Sequence, residues 1–189
     1  MKSQDIVILL KLVSLQEQED FGFLDSDDWR AGREEPYSVR GLGASLGISK
    51  TEVSASLNRS LESGLAIKDR ELGRAKPSRR HLYEFIVYGL KFVFPAKPGV
   101  PQRGIPTGFS APMLQERLVS GGEDIYVWPY AKSKERGLSV EPLFKSVPEA
   151  VGRDERLYGY LALVDAIRLG RQRESNLAAE YLRERLLKK

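Results

Sequence analysis

Apolar positions along the chain fall into short helical stretches separated by glycine, proline and charged runs. Over residues 3–16, Ile6, Leu9, Leu10 and Val13 make one apolar face at the helical period, and Ser3 stands where a cap belongs. From Ser38 to Ala66 the pattern predicts two short helices around a tight turn. Leu42 and Leu46 lie four apart on the first. Gly47 offers the left-handed conformation that a helix end favours, and Ile48 is an apolar plug in the turn. Ser49 and Glu52 have the spacing of a capping box. Val53, Leu57 and Leu61 then define the buried stripe of a helix over 50–63, which Gly64 stops. Leu65, Ala66 and Ile67 read as a short strand leading into a loop over 68–80.

The remainder predicts mixed structure. Leu82, Phe85, Ile86, Gly89, Phe92 and Val93 fit a helix over 79–94, with Ser78 at its N-cap. Residues 95–112 hold five of the chain's ten prolines and three glycines, which suggests an ordered strap over a hydrophobic surface. Alternatively, Arg103, Gly104, Thr107, Gly108 and Ser110 build a small anion or ligand pocket, with Ser110 capping a helix over 111–119. Strands over 125–130 and 138–144 form a hairpin across 131–137. A helix over 154–169 is apolar nearly all round, so it belongs in a core or a subunit interface. Its one interior acid, Asp165, has Arg168 three residues on to pair with. The last helix, 172–188, has Leu177, Tyr181 and Leu182 on one side and Lys188 near its negative end. The expected fold class is α+β, mainly helical, with a winged helix-turn-helix over 1–94 and a C-terminal helical region with a small β-hairpin over 95–189.

The outward positions of helix 50–63 carry the candidate chemistry. Short side chains near the leading end of a helix allow it into the DNA major groove, and polar tips then reach base edges and phosphates. Ser49, Lys50, Thr51, Ser54, Asn58 and Arg59 have that character. The run Leu46-Gly47-Ile48-Ser49-Lys50, Val53-Ser54, Leu57 and Gly64-Leu65 resembles the helix-turn-helix of bacterial winged-helix regulators of the MarR and ArsR kind. The resemblance covers about thirty residues. Gly43 and Ser60 depart from it, standing where alanine and leucine are usual; Leu61 is positioned to take over the packing at Ser60. It implies a DNA-binding regulator whose wing follows the second helix. The blocks around 103–112, 127–129 and 161–174 are similar to the second half of a bacterial family described as winged-helix regulators, which adds a class and no mechanism.

Charge sharpens this picture. The net charge of the 189 residues is only +4, but residues 1–64 carry 7 basic and 11 acidic groups while residues 65–103 carry 9 basic and 3 acidic. The excess begins directly after the expected recognition helix. Lys68, Arg70, Arg74, Lys76, Arg79 and Arg80 are the cations that would grip phosphates from the wing. His81, the only histidine, is expected at the surface or on a phosphate. The DSDDW stretch over 25–29 resembles a metal loop but lacks the glycine and terminal glutamate spacing of a calcium site.

With no cysteine and one histidine, disulfides, thiolate sites and a multi-histidine metal site are excluded. Asp165, Glu84, Glu123 and Asp124 are acids without a nucleophile or cofactor loop at catalytic spacing, so an enzyme is not expected and no cofactor is implied. The apolar run from Ile6 ends at Lys11, and Lys91 interrupts 85–94. Neither approaches the about twenty residues of a membrane span, and no cleavage site for a signal peptide follows the first. A cytoplasmic DNA-binding regulator, acting as a homodimer on a palindrome, is the leading expectation. The alternative is a protein-interaction module of the antitoxin or adaptor type. A protein partner or a small-molecule effector fits the C-terminal half in either case.

Overall fold

A computed structural model of the chain describes residues 1–22, 35–115 and 125–187. It is mainly helical α+β, and among the described residues no helix is long and apolar enough to cross a membrane. The first helix, α1 (Ser3–Asp20), is buried around its whole circumference: every residue from Gln4 to Leu15 is inside. The single apolar face expected from the spacing is therefore only part of what is covered. Ser3 does not cap this helix. Its hydroxyl donates to the Leu143 carbonyl, and the carboxylate of Asp5 takes the Lys2 amide at 2.7 Å instead.

Two short helices follow as the sequence suggests. Ser38 caps α2 (Val39–Leu46) by accepting from the Gly41 amide at 2.9 Å. Gly47 ends it in the left-handed region, with φ 64° and ψ 34°. Ile48 is buried in the turn, and Ser49 accepts from the Glu52 amide at 3.3 Å to start α3 (Lys50–Glu62). The stretch after α3 is more regular than expected. The loop returns as a strand, so β1 (Ala66–Lys68) and β2 (Ala75–Pro77) form an antiparallel hairpin. The Asp69 carboxylate accepts from the amides of Glu71 and Leu72 and folds the tip. The helix expected over 79–94 is broken at Gly89 into α4 (Arg79–Tyr88) and α5 (Leu90–Val93). The hydroxyl of Ser78 makes no cap; its amide donates to the Leu65 carbonyl and ties the hairpin to α4.

The Pro-rich segment departs most from expectation. It contains a strand, β3 (Pro101–Pro106), which pairs antiparallel with both β4 (Tyr126–Pro129) and β5 (Arg136–Ser139). β4 and β5 run parallel to each other, so the expected hairpin does not exist and the three strands close on themselves. One half of β3 takes each partner: Gln102 faces Gly137 and Ile105 faces Trp128. The crossing is tight enough to demand glycine, because a Cβ on Gly104 would lie 2.1 Å from the Trp128 carbonyl oxygen. Residues 112–114 form a single 3-10 turn. Ser110 does not cap it but accepts from the Tyr126 amide at 2.9 Å. The remainder of the expected 111–119 helix, and the DSDDW stretch, lie outside the described residues.

The last helices are α6 (Val147–Val151), α7 (Glu155–Leu169) and α8 (Gln172–Leu187). α7 is buried along nearly its whole length within this one chain, which places it in the core. α1 packs between α3 and α7, so one hydrophobic cluster joins Leu9, Leu46 and Val53 to Tyr160, Leu163 and Leu182. The α1–α7 contact contains a buried ion pair. Lys11 Nζ lies 2.7 Å from Asp154, whose other contacts are the Ser14 hydroxyl and the Leu157 amide at the start of α7. Burial pushes the Asp154 carboxyl up, but the Lys11 charge and these donors outweigh it and hold the pKa below its ordinary value.

The sign of the pH dependence follows. A carboxyl with a lowered folded-state pKa contributes stability that is complete above its unfolded value, about 3.9, and is lost as pH falls through the folded value. Lys11→Met is expected to remove about 3 kcal/mol at neutral pH, and that deficit should shrink as pH falls and the stranded Asp154 carboxyl takes up a proton. Urea unfolding followed by circular dichroism at several pH values checks both; a deficit that is the same at every pH would show that the pair does not act this way.

Candidate nucleic-acid interface

The helix α3 has an inner face made of small residues. Val53, Ser56 and Ser60 are fully buried, whereas Leu57 and Leu61 of the expected stripe are only half-buried. The serines follow from the neighbour: α1 packs on this face, and short side chains let the two helices approach closely. Ser60 is thus no misplaced leucine, and Leu61 does not replace it.

Two side chains of α3 reach back to the first turn of α1. Arg59 donates twice to Asp5, from Nε at 3.0 Å and from Nη2 at 2.6 Å, in the paired geometry that guanidinium and carboxylate favour. Asp5 is fully buried. Burial pushes its pKa up, but Arg59 and the Lys2 amide outweigh that and keep it below the usual carboxylate range. Two turns earlier, Glu52 leaves the expected capping box half made. Its carboxylate takes Lys2 Nζ at 3.1 Å, with Gln4 as a further donor. Arg59, expected among the DNA contacts, is committed to α1.

The outer face is open. Ser49, Lys50, Thr51, Ser54 and Asn58 are exposed, and the last four make no side-chain hydrogen bond or ion pair among the described residues. An open groove of about 700 Å³ runs beside them, lined by Arg40, Gly43, Ala44, Ile48, Ser49 and Lys50. Gly43 belongs where the resemblance prefers alanine because a Cβ there would lie 2.7 Å from the Ile48 carbonyl oxygen.

The six cations after α3 divide into two groups. Lys68 and Arg70 are exposed without a partner among the described residues, and Lys76 is exposed with Asp69 3.9 Å away. Arg80 is exposed and pairs with Glu84 one turn on, at 3.0 Å. Arg74 turns back instead. It meets Glu19 at 2.8 Å and lies 3.5 Å over the Tyr37 ring. Arg79 also faces α1, 3.7 Å from Glu17 and 3.4 Å from Gln16. His81 is exposed, and its Nδ1 lies 2.9 Å from the Gly64 carbonyl oxygen at the end of α3.

The second candidate cluster is structural in its geometry. Thr107 is buried with its hydroxyl on Asp165 at 2.9 Å, and the Trp128 indole N–H donates to the same carboxylate at 2.6 Å. Arg168 pairs with Asp165 at 2.6 Å, as the sequence suggests, and also holds the Phe94 carbonyl at 2.9 Å. Burial raises the Asp165 pKa, while Arg168 and the two neutral donors oppose that. Thr107, Gly108 and Ser110 are buried, and Arg103 is exposed on β3. Sequence reasoning missed Asp5, although an acid at the head of an unbroken apolar run is itself a signal that a cation must come to meet it.

No family model, curated protein or solved structure matches the chain. Arg59→Ala is expected to cost about 2–3 kcal/mol, because it strands a buried carboxylate. The amides of α3 should then lose protection in hydrogen exchange before those of α7. Asn58→Ala, one residue away on the open face, should change stability by less than about 0.5 kcal/mol. Equal losses from both would show that the ion pair does not seat the helix.

Proposed function

We propose that this chain is a sequence-specific, double-stranded-DNA-binding transcriptional regulator of the winged helix-turn-helix type, with α3 as its recognition helix. One observation carries the reading. The outer face of α3 presents Lys50, Thr51, Ser54 and Asn58 exposed and, among the described residues, unengaged, while its inner face is clamped to α1 at Glu52 and Arg59. A reading helix needs that division, since base edges are recognised by side chains free to meet them on a backbone that does not move. Lysine suits guanine and asparagine suits adenine, so Lys50 and Asn58 are the base readers, with Ser49, Thr51 and Ser54 contacting bases or phosphates. Arg59 positions the helix.

The β1–β2 hairpin serves as the wing. Lys68, Arg70 and Lys76 neutralise phosphates there, and Arg80 extends their reach; Arg74 and Arg79 fasten the wing to α1. The remaining half, 95–189, would serve dimerisation, effector sensing or partner binding. Tyr88, Phe92 and Val93 are large and exposed on α4 and α5, and they offer a surface for a second copy of the chain. The same surface favours the second reading, a protein-interaction module or adaptor, in which another protein covers it.

Selection of bound sequences from random duplex DNA tests the class. A palindromic enriched site supports the regulator and its two-fold symmetry. Absence of enrichment together with a stoichiometric co-purifying protein supports the adaptor. Lys50→Ala with Asn58→Ala should lower affinity for the enriched site by about 2 kcal/mol or more without altering the melting temperature. Neutralising Lys68, Arg70 and Lys76 should weaken all sequences alike and flatten the salt dependence by about 3 logarithmic units per unit. A salt slope unaltered by the triple change would remove the hairpin from the interface.

A further inference from the structure

A segment far along the chain comes back to the helix-turn-helix. The residues leading into α6 lie against the end of α2: the Ser146 hydroxyl donates to the Leu46 carbonyl, one of those left open where the helix stops. The approach is close. A Cβ on Gly47 would lie 3.1 Å from the Cβ of Ser146. The same segment is fixed at its start, where the Ser3 hydroxyl holds the Leu143 carbonyl, and at its finish, where Asp154 meets Lys11. Val147, Ala150 and Val151 of α6 are buried beneath it. Its position relative to α2 is thus set from three sides.

This segment adds charge to the open face. A small groove of about 140 Å³ separates it from α2, with Ala44, Leu46 and Gly47 on one wall and Ser146, Glu149 and Arg153 on the other. Ala44 also lines the larger groove beside Lys50, so the two adjoin at that residue. Lys145, beside Ser146, and Arg153 are exposed, and neither has a side-chain partner among the described residues. Among the described residues, the one acid lining the small groove is Glu149.

We propose that Lys145 and Arg153 bind the phosphate backbone of duplex DNA alongside the major groove entered by α3, making α6 and its flanks part of the DNA-binding surface. The inference rests on the regulator reading and assigns that site two contacts outside the helix-turn-helix and its wing. The leading residues of a recognition helix lie at base edges, and the flanking phosphates then fall on the elements beside its first turn. Here those elements are α2 and the Lys145–Arg153 segment. Cations there add affinity for any sequence and none for a particular one.

The test uses the full chain and fluorescence anisotropy over a salt series, with a random-sequence duplex and the duplex enriched by selection. Lys145→Gln with Arg153→Gln should reduce the log–log salt slope by about two. It should weaken both duplexes by the same factor and leave the melting temperature unchanged. Glu149→Gln should tighten both. An unchanged slope in the double variant, with Lys50→Ala and Asn58→Ala still losing the enriched duplex, overturns this proposal and leaves the regulator reading standing. A wild-type chain that binds neither duplex overturns both.

Discussion

A helix buried on every side must have neighbours on every side, and α1 imposes that demand on the whole molecule. Its residues from Gln4 to Leu15 offer no face to water. α3 and the β1–β2 hairpin cover one flank and α7 covers another, so both halves of the chain exist as parts of one packing problem. Two ion pairs fix the arrangement. Asp5 of α1 draws Arg59 of α3, and Lys11 of α1 draws Asp154 at the head of α7. Each places a charge inside, where a missing partner is costly, so each specifies one register between helices.

That arrangement explains which polar residues are held inside and which face water. Along α3, Arg59 and Asn58 are adjacent in sequence and opposite in role: one is spent on the interior and the other faces out. The hairpin and the head of α4 repeat the division, with Arg74 and Arg79 drawn to the acidic end of α1 while Lys68 and Arg70 are exposed without a partner among the described residues. The acidic excess of the first third of the chain is thus partly internal, a counter-charge that orients cations supplied later.

The local features were legible from sequence because their causes are local. The Ser49 cap and the left-handed Gly47 each depend on residues within one turn, and both stand as read. Long-range choices were not legible. Nothing near Arg59 in the sequence announces Asp5, and an exposed and a paired arginine look alike in a pattern. The strands expected over 125–130 and 138–144 suggested a hairpin because neighbouring strands usually form one; β3, drawn from a Pro-rich stretch, inserted itself as partner to both. The interior serines of α3 were set by the closeness of α1, which periodicity does not encode. Of the candidate site, the open face of α3 was readable and its anchoring was not.

The bridge between Lys11 and Asp154 spans 143 residues of chain. During translation α1 is made well before α7, the helix that shelters its second flank. In the interval that flank stays uncovered, an apolar surface of the kind that chaperones hold. Completion of α7 is the event that closes it, so α1 and the helices packed on it reach their final setting only after the chain has been made through that helix.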